Sequence, residues 1–166
     1  MKLWGSYSAP GMAAALLAAA ADQLFKVWMI GALEASPAKK IVLAPFFDLV
    51  MAWNPGISYG LLKQDSDLGR WVLIAVSLLA VLGLSYWLAQ LPHRLPALSL
   101  GLIIGGAAGN VADRIRFGAV ADFFSFHVAS FYWYIFNLAD VAIVVGVAGL
   151  LFDSLTGSHK SAGKQA

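Results

Sequence analysis

Apolar residues in this chain gather into four long blocks separated by polar connections. Trp71 to Leu91 carries no charge and as a helix rises about 31 Å, enough to cross a bilayer core. Leu95 to Ala112 is also uncharged and rich in Gly and Ala, the composition of helices that approach closely in lipid. Trp133 to Phe152 is interrupted only by Asp140, and an aspartate inside a membrane span costs enough to make a functional role the default. At the N-terminus, Met12 to Ala21 with Lys2 and the small residues Ala19, Ala20 and Ala21 imitates a secretion signal. The apolar character resumes after Asp22 and Lys26 and runs to Leu33, which favours a retained span. These blocks predict an all-α membrane protein with helices at about 11–32, 70–91, 95–113 and 133–153 and both termini on one side.

Two connections are long. Glu34 to Leu68 contains Ile41 to Trp53, apolar but too short to span, which reads as interfacial β structure. Asn54-Pro55-Gly56 follows it as a turn signal and a candidate hairpin. Arg114 to Tyr132 is dense in Phe, as expected at a membrane interface, and His127 reads there as an interfacial structural residue. The expected organisation is one domain over 1–155 with small β elements and a Ser/Gly/Lys tail over 156–166 without order.

Composition sharpens this picture. The chain of 166 residues is 60% hydrophobic and 12% charged, with a mean hydropathy of +0.76, beyond the range of an ordinary soluble domain. Its net charge of +2 comes from scattered residues, which argues against nucleic acid and for lipid or apolar chains as partners. The absence of cysteine excludes disulfides, thiolate metal sites and a cysteine nucleophile, and three scattered histidines make no zinc motif. No metal or cofactor is expected.

Helix 3 exits where helix 4 enters, so Asp113, Asp122 and Asp140 are all delivered to one face of the membrane, with Asn137 and Asp140 spaced to share a helical face. A converging pair of carboxylates suits peptide hydrolysis without a metal or a nucleophilic residue. One ionised Asp takes a proton from water while one protonated Asp polarises the scissile carbonyl. Asp22 with Lys26 reads equally as a neutralising helix pair or as a support for substrate, and Asp113 reads as structural with Arg114 left to bind a polar group. Asp48, Asp65, Asp67 and Asp153 read as solvated or capping residues. A proton or ion path through Asp22, Asp113 and Asp140 is the rival reading, weakened by the absence of charge in helix 2.

The chain resembles the bacterial lipoprotein signal peptidases. The resemblance rests on Asp22-Gln23-x-x-Lys26, Asn54-x-Gly56, the Gly-Gly-Ala-x-Gly-Asn-x-x-Asp-Arg run at 105–114, Gly-x-Val-x-Asp-Phe at 118–123 and Phe-Asn-x-Ala-Asp-x-x-Ile at 136–143. It implies an aspartic endopeptidase that cleaves prolipoproteins before a diacylglyceryl-modified cysteine, with Asp122 and Asp140 as the catalytic dyad. Asn54, Gly56, Asn110, Arg114 and Asn137 are implied around the site, with Asp22, Lys26 and Asp113 in support. It further implies the bacterial cytoplasmic (inner) membrane, both termini cytoplasmic, β elements and active site on the extracytoplasmic face; a monomer is expected. A count of cations opposes that orientation, since the long connections and their flanks hold Lys39, Lys40, Lys63, Arg70, Arg114 and Arg116, against Lys2, Arg94, Lys160 and Lys164 on the other side. The departures are Pro55, Ile57, Ser58 and Tyr59 beside Asn54, and Ala121 before Asp122, which bear on loop shape and substrate fit.

Overall fold

A computed structural model describes residues 3–36, 38–56 and 67–162, with side chains described to residue 156. Its elements are α1 (Ser8–Ala35), β1 (Lys40–Ala44), β2 (Phe47–Asn54), α2 (Asp67–Leu88), α3 (Arg94–Phe117), β3 (Val120–Val128), β4 (Phe131–Tyr132) and α4 (Leu138–Ala162). All four helices are long and apolar enough to cross a membrane. Leu16, Leu24, Trp28, Val76, Leu79, Val144 and Leu151 are exposed on their outer faces, the arrangement of a protein whose solvent is lipid.

The bundle is organised around α3, which packs against each of the other helices. Its small residues are the reason: a Cβ on Gly101 or Gly105 would meet the α1 backbone at Gly11 and Ala15, and one on Gly106 would meet the α4 backbone at Ala139. α3 ends at Gly118, whose φ of 82° is the left-handed cap conformation and whose N–H returns to Arg114 O at 3.1 Å.

The strands form one antiparallel sheet in the order β1-β2-β3-β4, lying at the end of the bundle where α1 and α3 finish and α2 and α4 begin. Leu49, Ala121 and Phe123 pack there on Met29 and Leu33 of α1. Several boundaries differ from expectation. The β1–β2 hairpin closes at Pro45-Phe46, with Ala44 opposite Phe47, whereas Asn54-Pro55-Gly56 ends β2 in a local turn in which Gly56 N–H donates to Asn54 Oδ1 at 3.0 Å. α4 starts at Leu138, because residues 134–137 run beside β3, with Phe124 N–H donating to Phe136 O at 2.8 Å and Phe136 N–H to Phe124 O at 3.2 Å. At its far end α4 continues to Ala162, into the stretch expected to lack order. Ile57, Ser58, Tyr59, Lys63, Asp65 and Lys164 lie outside the described residues.

Candidate active site

Two linked clusters of polar side chains sit where the sheet meets the helices. The first is held by Lys26 of α1, which is 1% exposed and donates to Asp22 Oδ2 at 2.8 Å and to Asp113 Oδ2 at 2.7 Å. Gln23 adds bonds to Asp113 Oδ1 at 2.8 Å and to Asp22 Oδ2 at 3.2 Å. Backbone donors complete the cluster: Asp22 Oδ1 receives Ala139 N–H at 2.9 Å, and Asp113 Oδ2, already bonded by Lys26, also receives Ala121 N–H at 3.1 Å. The Asp22–Lys26 pair is therefore a neutralising pair, as one of its two readings had it, and it also binds helix to helix. Asp22 satisfies an N–H in the first turn of α4, one of the donors a helix leaves unpaired at its start.

The second cluster holds Asp122 and Asp140. Asn137 stands immediately before α4 and its Oδ1 accepts Asp140 N–H at 3.0 Å, while Asp140 Oδ2 accepts Asn137 N–H at 3.3 Å. That reciprocal exchange is a capping box, so Asp140 belongs to the first turn of α4 and not to the interior of a span. Asn137 Nδ2 donates at the same time to Asp122 Oδ1 at 2.6 Å and to Asn110 Oδ1 at 3.1 Å. Asn110 Nδ2 donates to Asp140 Oδ1 at 3.0 Å, and Asn54 Nδ2 to Asp122 Oδ2 at 3.2 Å. Three amides thus join the two carboxylates, and among the described residues no cation bonds either one. Burial pushes the Asp122 carboxyl up to about 6, with the negative charge of Asp140 adding to the rise and the bonds from Asn137 and Asn54 opposing it.

Lys26 Nζ links the clusters through Asn110 Oδ1 at 3.3 Å. Arg114, one turn further along α3, donates to Gly56 O at 2.6 Å and to Asn110 O at 3.2 Å, which fixes the turn carrying Asn54. Its Nε is buried and has no hydrogen-bond partner among the described residues. All ten residues singled out from the sequence, Asp22, Lys26, Asn54, Gly56, Asn110, Asp113, Arg114, Asp122, Asn137 and Asp140, are brought into this one network.

Two features escaped the sequence. Gln23 is the bridge of the first cluster, a role that its place in the Asp22-Gln23-x-x-Lys26 motif did not by itself disclose. Asp48 is not solvated: it is 2% exposed, with Lys40 Nζ at 2.7 Å and His127 Nε2 at 2.9 Å on its Oδ2. The bond from Lys40 holds the Asp48 carboxyl below its ordinary range. Asp67, in contrast, is exposed and pairs with Arg70 at 3.1 Å.

A cavity of about 450 Å³ opens beside Asp140. Its walls are the α4 face of Val141, Val144 and Val145 and the aromatic turn that carries Phe131 and Trp133, and they are almost wholly apolar.

An amide-bridged pair of aspartates at the edge of four membrane-crossing helices defines a multi-pass membrane enzyme. The family model for signal peptidase (SPase) II matches residues 14–156. A lipoprotein signal peptidase from Beijerinckia indica is 53% identical over 146 residues, covering 88% of this chain and 87% of that protein, and one from Methylorubrum extorquens is 50% identical over 145 residues, covering 87% and 85%. In fold, the chain is similar to a bacterial membrane enzyme solved at 2.3 Å, with a TM-score of 0.77 and 21% identity over 95% of this chain and 94% of the other. The chain belongs to the signal peptidase II family, the membrane proteases that remove signal peptides from lipoprotein precursors.

Proposed function

We propose that this enzyme cleaves prolipoproteins immediately before the diacylglyceryl-modified cysteine, with Asp122 and Asp140 as the catalytic pair. The observation that carries this is the linking of buried Asp122 to half-buried Asp140 through Asn137 and Asn110, with Asn54 also on Asp122 and no cation on either among the described residues, which holds both in place and leaves acceptor positions open for water. Asp140 takes a proton from water as its oxygen attacks the scissile carbonyl, and protonated Asp122 donates to the developing oxyanion. Collapse of the tetrahedral intermediate breaks the C–N bond and passes a proton to the leaving amine. No metal or cofactor enters these steps.

The guanidinium of Arg114, tied to Gly56 O and Asn110 O beside the pair, is the cation set to orient a substrate carbonyl. Asp22, Lys26 and Asp113 support the pair by fixing α1, α3 and α4 against one another. The apolar cavity beside Asp140 suits an approach from within the bilayer, where a lipid-anchored peptide resides.

The same reading places the protein in the bacterial cytoplasmic membrane, with sheet and site on the extracytoplasmic face. Part of the opposing charge is committed to the fold, which weakens the count: Lys40 bonds Asp48 and Arg114 bonds Gly56 O. Cysteine accessibility tagging at residue 130 and at residue 92 in intact cells tests the orientation, with the first expected to label from outside and the second not. The chemistry is tested by cleavage of a lipidated precursor peptide in detergent or bilayer. Asp122→Asn and Asp140→Asn should each abolish turnover while folded, and Asp67→Asn, an exposed residue, should not. Substantial cleavage by either folded site variant would refute the aspartate mechanism.

A further inference from the structure

The second buried carboxylate system, around Asp48, lies outside the network of Asp122 and Asp140 and has no part in the chemistry above. Its geometry follows from the sheet. Asp48 lies opposite Val42 on β1 and Ser125 on β3, so Lys40 and His127 are its diagonal neighbours on the two flanking strands, within reach of long side chains. Both converge on the same Oδ2, and Oδ1 is buried without a partner. His127 in turn lies directly opposite Tyr132 on β4 and stacks on it, with ring centroids 4.9 Å apart at 28°. One line of side chains, Lys40, Asp48, His127 and Tyr132, therefore crosses all four strands.

This line ends on the weakest part of the sheet. β4 is two residues long and pairs only with His127 and Val128. The turn leading to it holds Ala129 at φ 53°, a left-handed conformation that a residue with a Cβ adopts under strain. Phe131, Tyr132 and Trp133 are exposed, and Phe131 and Trp133 wall the cavity beside Asp140, which His127 also lines. A two-residue strand on a strained turn has little of its own to hold it. His127 supplies the anchor, since its N–H donates to Phe46 O at 2.9 Å and its ring is fixed by Asp48 behind and Tyr132 in front.

We propose that His127, held by Asp48 and Lys40, is a positioning residue for substrate: it sets the aromatic turn at 129–133 as the outer wall of the groove that admits the lipidated peptide. This rests on the groove being the substrate's approach, as proposed above. His127 touches no reacting atom. Its removal should loosen the wall, weaken the fit of the apolar part of the substrate and leave the steps at Asp122 and Asp140 as they were.

The test uses the full-length enzyme in nanodiscs with a lipidated precursor peptide, together with amide hydrogen exchange of the substrate-free enzyme. His127→Ala is expected to raise KM about tenfold, the loss of a hydrogen bond to a charged group, with kcat within about twofold of wild type. Exchange over residues 129–134 should quicken. His127→Gln, whose amide can still donate to Asp48, should restore most of the KM and the protection, and Asp48→Leu should reproduce the His127→Ala phenotype. The inference is overturned if His127→Ala leaves KM and exchange at 129–134 unchanged, or lowers kcat at unchanged KM. It is also overturned if His127→Gln fails to rescue although folded. Failure of the wild-type enzyme to cleave the peptide would refute the proposed function instead, and unchanged exchange in His127→Ala would still overturn the anchoring of the turn.

Discussion

The two linked carboxylate clusters are built from the same residue types at the same membrane edge, yet they are satisfied differently. Asp22 and Asp113 each receive three donors, Lys26 and Gln23 together with one backbone N–H. Asp122 and Asp140 each receive two, all from amide or backbone nitrogen and none carrying a charge. The carboxylates of Asp22 and Asp113 share one buried ammonium, and both oxygens of each are occupied by donors. A carboxylate held by amides is positioned but unneutralised, so it retains room for water. On the proposed mechanism, the contrast teaches that reactivity at this membrane edge depends on which aspartates lack a lysine, and Asn110, bonded on one side to Lys26 and on the other to Asp140, marks the border between the two.

Removing the ionisable proton from the unneutralised pair breaks this contrast most severely. Asp140→Asn should lower the turnover of lipopeptide by about a thousandfold or more, and the Asp122→Asn/Asp140→Asn double variant should be scarcely worse than either single one, since members of a catalytic unit are not additive. A stepwise, additive loss would show that the two act separately. The saturated cluster should answer in stability. Lys26→Met leaves two buried carboxylates without their cation and should destabilise the protein by about 3 to 5 kcal/mol, read by thermal unfolding in detergent. Combining Lys26→Met with Asp22→Asn and Asp113→Asn should recover much of that loss. No recovery would show that the cluster holds more than a charge balance.

Smaller changes sharpen the comparison. Asn54 donates to Asp122 and so favours its ionised form. Asn54→Ala should therefore raise the carboxyl further above about 6 and move the alkaline limb of kcat/KM, expected near that value in the free enzyme, to higher pH. A limb that moves down, or stays, would show that the limb belongs to another group. The same shift has a sign in stability. The folded state holds the Asp122 proton more tightly than the unfolded chain does, so this contribution is complete below the ordinary carboxyl value of 3.8 and is lost as pH rises through about 6. Unfolding temperature should fall over that window, and the fall should be shallower in Asp122→Asn.

Much of the fold was legible because lipid imposes a simple rule, long apolar blocks for spans and polar residues where chains leave them. The rule failed where apolar residues serve something else. Trp133 to Phe136 count as span by hydropathy, yet Phe136 pairs with Phe124 and the helix waits for Asn137 to cap it. The Asn-x-x-Asp spacing at 137–140 carries that boundary and was readable as a cap instead of a shared helical face. Asn54-Pro55-Gly56 outranked Pro45 as a hairpin signal because turn chemistry is local, whereas the closure at Pro45-Phe46 follows from Ala44 meeting Phe47 across the sheet. The candidate site was legible as a set of polar residues placed among apolar ones. The partners of Asp48 were not, because Lys40 and His127 come from different strands and only the register aligns them.

The bond from Ala139 to Asp22 also bears on how the molecule comes into being. The first helix and the last enter the membrane as separate events, and until they meet, an N–H at the start of α4 and the buried carboxylate of α1 lack each other. Docking the last helix completes both, and the same contact brings Asn137 and Asp140 up to the asparagine on α3. Competence is thus a property of the finished bundle. A half-assembled chain has no pair of aspartates in register, and a protease that works among other proteins' membrane anchors is silent until its own insertion is done.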